Sequence, residues 1–228
     1  MFGAGGGTSS YREIETTDLV LLWGSNARET HPIFFHHLLK GIRNGARLIV
    51  VDPRRTSSAR WADLWLGLEV GGDIALTNAI GHEIIHAGLV NTEFVTNATT
   101  GFDAYRGCVE AYPPERAEGL SGIPAAVTRA AAHAYAEAPK AQICWTLGIT
   151  EHHNAVDNVL ALINLALLTG HVGREGSGLH PLRGQHNVQG GGDLRAIRHP
   201  PPRPQDVADP PPRPRPPPDR GPAPPPPP

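Results

Sequence analysis

Residues 82–86 read HEIIH. Two histidines four apart on a helix can present both imidazoles to one metal ion, and the glutamate beside the first could act as general base on a metal-bound water. That is the chemistry of a zinc peptidase, and it requires a third ligand. The residue six beyond His86 is Thr92, and no second glutamate-bearing helix signature follows. Glu93 or Glu110 would have to be recruited in space, and nothing in the sequence singles either out. The adjacent pairs His36-His37 and His152-His153 do not help, because neighbours on a helix diverge by about 100°. Along the helix that carries HEIIH, Leu76, Ile80, Ile84 and Ala87 form one stripe. Asn78, His82 and His86 form another, roughly 160–200° away. A solvated polar face accounts for that second stripe without a metal.

A second group of candidates stands at the ends of short apolar runs. "DLVLLWG" is followed by Ser25 and Asn26, where a glycine permits close approach and polar side chains precede a helix, a setting suited to phosphate. "ARLIVVD" ends on Asp52, placed to bind a ribose hydroxyl, with Arg54 or Arg55 able to meet phosphate. "AQICW" leads into "TLGITEHHN". None of these loops is G-x-G-x-x-G, so the ordinary dinucleotide fingerprint is absent.

The elements that would position these loops follow from periodicity. Continuous apolar runs at 18–24, 46–52 and 141–148 read as strands buried on both faces. "ADLWLGLEV" reads as a shorter extended segment. Pro32 opens a helix over 32–45, Asp73 caps another that closes at Gly88, an Ala-rich helix starts near Pro124, and a strongly apolar one follows at 156–170. Residues 91–118 read as short helical pieces. Helices alternating with strands at these lengths predict an α/β fold, a doubly wound and mostly parallel sheet with flanking helices.

Composition narrows the function classes. A formal charge of −2 over 228 residues, with Lys and Arg scattered among Asp and Glu, argues against nucleic acid as a partner. Two cysteines, Cys108 and Cys144, form no C-x-x-C pair and suit a reducing, cytoplasmic setting. "VLALINLALL" is too short for a membrane span and contains Asn164. Of 24 prolines, 17 lie from Pro200 onward. They mark residues 199–228 as a proline-rich, disordered tail after a domain over 1–198, a linker in composition more than a ligand for an SH3-type module.

In order and spacing, "WGSNARETHP", "NGARLIVVDPRRT", "GGDIALTNAIGHEIIHAGLVNTEFV", "WTLGITEHHNAVDNVLALINLALLTGHVGREGSG" and "PLRGQHNVQGGGDL" resemble the catalytic subunit of molybdenum- or tungsten-dependent formate dehydrogenases. These enzymes belong to the molybdopterin oxidoreductase superfamily. The likeness covers about residues 2–198, and R-G-Q-x-N-V-Q-G is its most diagnostic part. It implies the family's central domain and two molybdopterin guanine dinucleotides holding the metal. It further implies that Gly24, Ser25, Asn26, Glu29, Asp52, Arg54 and Asp73 line one dinucleotide, with Leu147, Gly148 and Glu151 nearer the pterins. Arg183 and Gln185 would reach the metal site, the arginine holding formate, with His186 as the nearest titratable neighbour.

The resemblance also sets expectations about what surrounds this chain. The family's metal ligand, a Cys or selenocysteine followed by His, would precede "FGAGGGTSSYREIE", and the iron–sulfur cluster would belong to the intact subunit. The chain reads as a fragment, inactive alone, whose partners are formate, the remainder of the catalytic subunit and electron-transfer subunits. His186 and Ala155 depart from the family's usual Asn and Gly. A nitrate reductase of the same superfamily is the nearest alternative; a zinc peptidase, a plain nucleotide-binding domain and a proline-rich scaffold are more distant ones.

Overall fold

The structure, a computed structural model, describes residues 7–184. The proline-rich tail and the boundary expected at 198 lie outside that range.

Five strands form one parallel sheet: β1 (Leu19–Trp23), β2 (Arg47–Val51), β3 (Leu64–Leu66), β4 (Ala141–Trp145) and β5 (Gly178–Pro181), in the order β3-β2-β1-β4-β5. Between them run helices α1 (Ala27–Thr30), α2 (Pro32–Arg43), α3 (Asp73–His86), α4 (Thr92–Ala98), α5 (Phe102–Val109), α6 (Pro114–Ser121), α7 (Ala125–Glu137), α8 (Leu147–Thr150) and α9 (Ala155–Thr169). The α/β expectation holds. None of these helices is long and apolar enough to cross a membrane.

Strand side chains alternate between two cores, as the pleat requires. Leu19, Leu21, Trp23, Ile49, Val51, Ile143 and Trp145 face α3, α7 and α9. Val20, Leu22, Leu48, Val50 and Cys144 face Phe34, Phe35 and Leu38 of α2. Both faces of β1 and β4 are buried along their whole length, which is why these strands read as unbroken apolar runs.

Three details differ from the sequence reading. The N-cap of α3 is Gly72, and Asp73 occupies the first helical turn without a capping bond; its carboxylate is drawn to an indole instead. Asn78, expected on a solvated stripe, is 6% exposed, while Ala87 on the supposed apolar stripe is exposed. The cause is that α3 packs against α5, α6, α7 and α9 as well as the sheet. Finally, β5 carries no apolar run long enough to announce a strand: it is G-L-H-P, opening on a glycine at φ 152° and ending on a proline.

Candidate functional site

The chain leaves β1 toward β2 on one side of the sheet, whereas β4 and β5 lie on the other. At such a switch point the loops beyond the strands' carboxyl ends diverge and leave a crevice. A cavity of about 400 Å³ lies there, lined by residues from the ends of β1, β2 and β4 and from the start of α3.

Two glycines set its shape. Gly24, directly after β1, has φ 55°, and its carbonyl accepts hydrogen bonds from Thr146 Oγ1 at 2.6 Å and from the Gly148 N–H at 3.1 Å. A Cβ on Gly24 would sit 2.8 Å from the Gly148 carbonyl carbon, and one on Gly148 would sit 2.6 Å from the Gly24 Cα. Both are backbone contacts that no rotamer change relieves, so only glycine lets the two loops cross here.

Around this crossing stand two buried acids. Asp52 directly follows β2; its Oδ1 accepts from the Arg54 N–H at 2.8 Å, and its carbonyl accepts from Trp65 Nε1 at 2.9 Å. Burial pushes its carboxyl above the usual aspartate range despite the bond and charge of Arg54, and the charge of Asp73 pushes in the same direction. Asp73 accepts a 2.7 Å hydrogen bond from Trp23 Nε1. Burial raises it too, against the opposing effects of that bond and of His152. The cleft thus contains two acceptors that ionise reluctantly, with one exposed guanidinium, Arg54, at its edge. Arg55 turns away and lies over the Trp65 ring, 5.7 Å from its centroid.

Of the residues singled out from sequence, Gly24, Asn26, Asp52, Arg54, Asp73, Leu147 and Gly148 line the cavity together. Ser25 does not; it is buried, and its hydroxyl has no partner among the described residues. Glu29 and Glu151 are exposed and outside the lining. The Glu29 carboxylate accepts from Ser57 Oγ at 2.8 Å, a bond that holds its pKa below the ordinary value. Arg183 lines an adjoining depression of about 230 Å³, which shares Thr30, His31 and Gly184 with the cleft, and its carbonyl bonds to the His31 ring. Gln185 and His186 lie outside the described residues.

Sequence reasoning passed over Thr146, His31 and His152, all of which line the cavity. His152 lies in the TLGITEHHN loop after β4, a loop the sequence singles out without pointing to this residue. Thr146 is simply the first residue beyond that strand, and its role depends on a carbonyl 122 positions away.

The molybdopterin oxidoreductase family model matches residues 4–207, and the chain belongs to that family. Its members work with a molybdopterin-type cofactor carrying molybdenum or tungsten. The chain is 43% identical over 207 residues to formate dehydrogenase H of Escherichia coli (strain K12), covering 91% of this chain and 29% of that protein. It is 36% identical over 200 residues to a nitrate reductase of Synechocystis, covering 87% and 28%. Acetylene hydratase from Pelobacter acetylenicus superposes with a TM-score of 0.71 at 29% identity, over 78% of this chain and 24% of the other. The chain therefore spans less than a third of each of these relatives, and the resemblance read from the sequence is confirmed at the level of family and fold.

Proposed function

We propose that the cleft holds the guanine dinucleotide end of a molybdopterin guanine dinucleotide, and that this chain is part of the catalytic subunit of a formate dehydrogenase. The crossing of Gly24 and Gly148 at the switch point, beside Asp52, Asp73 and Arg54, carries the reading. A side chain at either glycine would collide with the backbone of the other loop, so the pair keeps both loops close together at the switch point, where backbone can approach a pyrophosphate. Arg54 supplies the positive charge for phosphate, Asp52 accepts from a ribose hydroxyl, and Asp73 offers a carboxylate oxygen to the bound group's N–H donors. Leu147, 49% exposed beside Gly148, gives an apolar surface on the pterin side.

The group, when bound as a pair of dinucleotides, supplies two-electron chemistry at molybdenum or tungsten, relayed through an iron–sulfur cluster of the intact subunit. Arg183 is the residue here that would hold formate, because a planar guanidinium pairs with a carboxylate through two parallel hydrogen bonds and fixes its orientation. Gln185 and His186, next along the chain, complete the set that the family resemblance implies. Neither cysteine serves the cleft: Cys108 is exposed on α5, and Cys144 faces the α2 side of the sheet. The chain alone is accordingly expected to turn over no formate, and its partners are the rest of the catalytic subunit and electron-transfer subunits. Both thiols are free, which supports a cytoplasmic setting.

A nitrate reductase is the second reading, supported by the Synechocystis relative at lower identity than the formate dehydrogenase. Mass spectrometry of the chain purified from a molybdenum-replete host tests the cofactor assignment. Bound pterin or its guanine dinucleotide, reduced in Asp52→Asn and Arg54→Ala, is the expected result. A chain that retains no nucleotide, or retains it equally in both variants, would remove the basis for the assignment.

A further inference from the structure

HEIIH has a second life at the opposite end of α3. His82 and His86 lie about 14 and 20 Å along the helix axis from Asp73, at a rise of 1.5 Å per residue, and neither lines the cleft. Their rings stack, with centroids 4.1 Å apart and planes 21° from parallel. Glu110, which caps α5, reaches across so that its Oε2 lies 3.1 Å from His86 Nε2. One potential ligand atom from each of the three residues falls within 4.8 Å of the other two. The half-buried His82 also keeps a solvent-excluded Nδ1 with no hydrogen-bond partner among the described residues. A polar atom in that state is costly unless something else satisfies it.

We propose that His82, His86 and Glu110 bind one divalent transition-metal ion of borderline softness, zinc being the type case, in a site that ties α3 to α5. Two imidazoles and a carboxylate are an ordinary donor set for such an ion, with water in the fourth position. Bonds of about 2.0–2.1 Å place tetrahedral ligand atoms roughly 3.4 Å apart. Closure from the present spacing falls to His86 and Glu110, whose side chains are 51% and 60% exposed and free to change rotamer. Glu83 is not free to act as a hydrolytic base at this site. The residue that would be a peptidase's base is held on α7 instead, with His133 Nε2 at 3.1 Å and Arg129 Nε at 3.4 Å. The site thus uses the two histidines of the motif and takes its third ligand, Glu110, from the end of another helix.

Zinc titration of the full chain against a chromophoric chelator, with cobalt(II) absorption as a geometry readout, tests the assignment. The wild type is expected to bind one more equivalent of zinc than either His86→Ala or Glu110→Gln, or to bind it about tenfold or more tightly, with tetrahedral-intensity cobalt bands. Both substitutions are at exposed positions, and circular dichroism confirms that the variants are folded. Glu83→Gln should leave zinc affinity within about twofold, because Glu83 is not a ligand. Equal stoichiometry and affinity in wild type, His86→Ala and Glu110→Gln would reduce the cluster to an ion pair and overturn the proposal. A Glu83→Gln variant that alone loses the metal would overturn the assigned ligand set.

Discussion

Trp23 Nε1 donates a 2.7 Å hydrogen bond to Asp73 Oδ1, joining the last residue of β1 to the first residue of α3. Both partners are buried. The bond holds one wall of the cleft to the sheet. Trp23→Phe would leave a buried carboxylate without this donor. Such orphaned groups cost about 1–3 kcal/mol. Urea denaturation at neutral pH should therefore show a lower midpoint with an unchanged slope, and an unchanged midpoint would mean that water replaces the indole.

Asp52 and Asp73 are both held above their ordinary pKa, chiefly by burial. A carboxyl that ionises less readily in the folded chain than in the unfolded one weakens the fold at neutral pH. Asp52→Asn and Asp73→Asn remove that burden and keep an oxygen acceptor. Each variant is expected to melt higher than wild type at pH 7 while retaining less dinucleotide, the trade expected where a site is strained for function. Lower melting in both would instead make these acids part of the fold's support.

Gly148→Ala tests the loop crossing. The added methyl carbon meets the Gly24 Cα at 2.6 Å, so one of the two loops must shift. Overpacking of this kind costs about 1–3 kcal/mol, or a fall of several degrees in melting temperature. Cofactor retention should fall with it. Gly45→Ala, where nothing lies within 4 Å but φ is 106°, separates backbone strain from crowding: it should lower stability and leave retention intact.

Most of the fold was legible because β1, β2 and β4 are buried on both faces, and such strands leave unbroken apolar runs. The short edge strand β5 left no such trace. Of the cleft, the residues that follow strands directly could be named, since the switch point of an open sheet concentrates ligand contacts there. Pairings could not be read: Trp23 with Asp73, Thr146 with the Gly24 carbonyl, and Glu110 with His86 each join positions far apart in the chain. The face of α3 was misjudged for the same reason. A helical wheel places Asn78 opposite the apolar stripe, but α3 is surrounded at its N-terminal end, where the wheel's outer face meets other helices.

Acid sensitivity should come from two buried histidines. His171, 1% exposed, donates from Nε2 to the Tyr135 carbonyl at 3.1 Å, while its Nδ1 accepts from Arg174 Nη2 at 2.9 Å. That pair of bonds fixes the neutral tautomer, since a second ring proton would point at a guanidinium. His180, 6% exposed, packs against Tyr11 and Phe34, and its Nδ1 has no partner among the described residues. Burial is the main cause of lowering in both, to about 4 from 6.5. The unfolded chain therefore binds more protons than the folded chain between those pH values, and stability falls as pH drops through that window. The scale is about 3 kcal/mol for each ring at 1.36 kcal/mol per unit. Asp52 and Asp73, raised by burial, act in the opposite sense, so the histidine contribution is read from the difference between wild type and the histidine variants. Melting temperature should fall between pH 7 and pH 5, and His180→Phe, which keeps the aromatic packing without a basic nitrogen, should flatten the slope. If His180→Phe and His171→Gln together left the slope unchanged, the acid sensitivity would have to arise elsewhere in the chain.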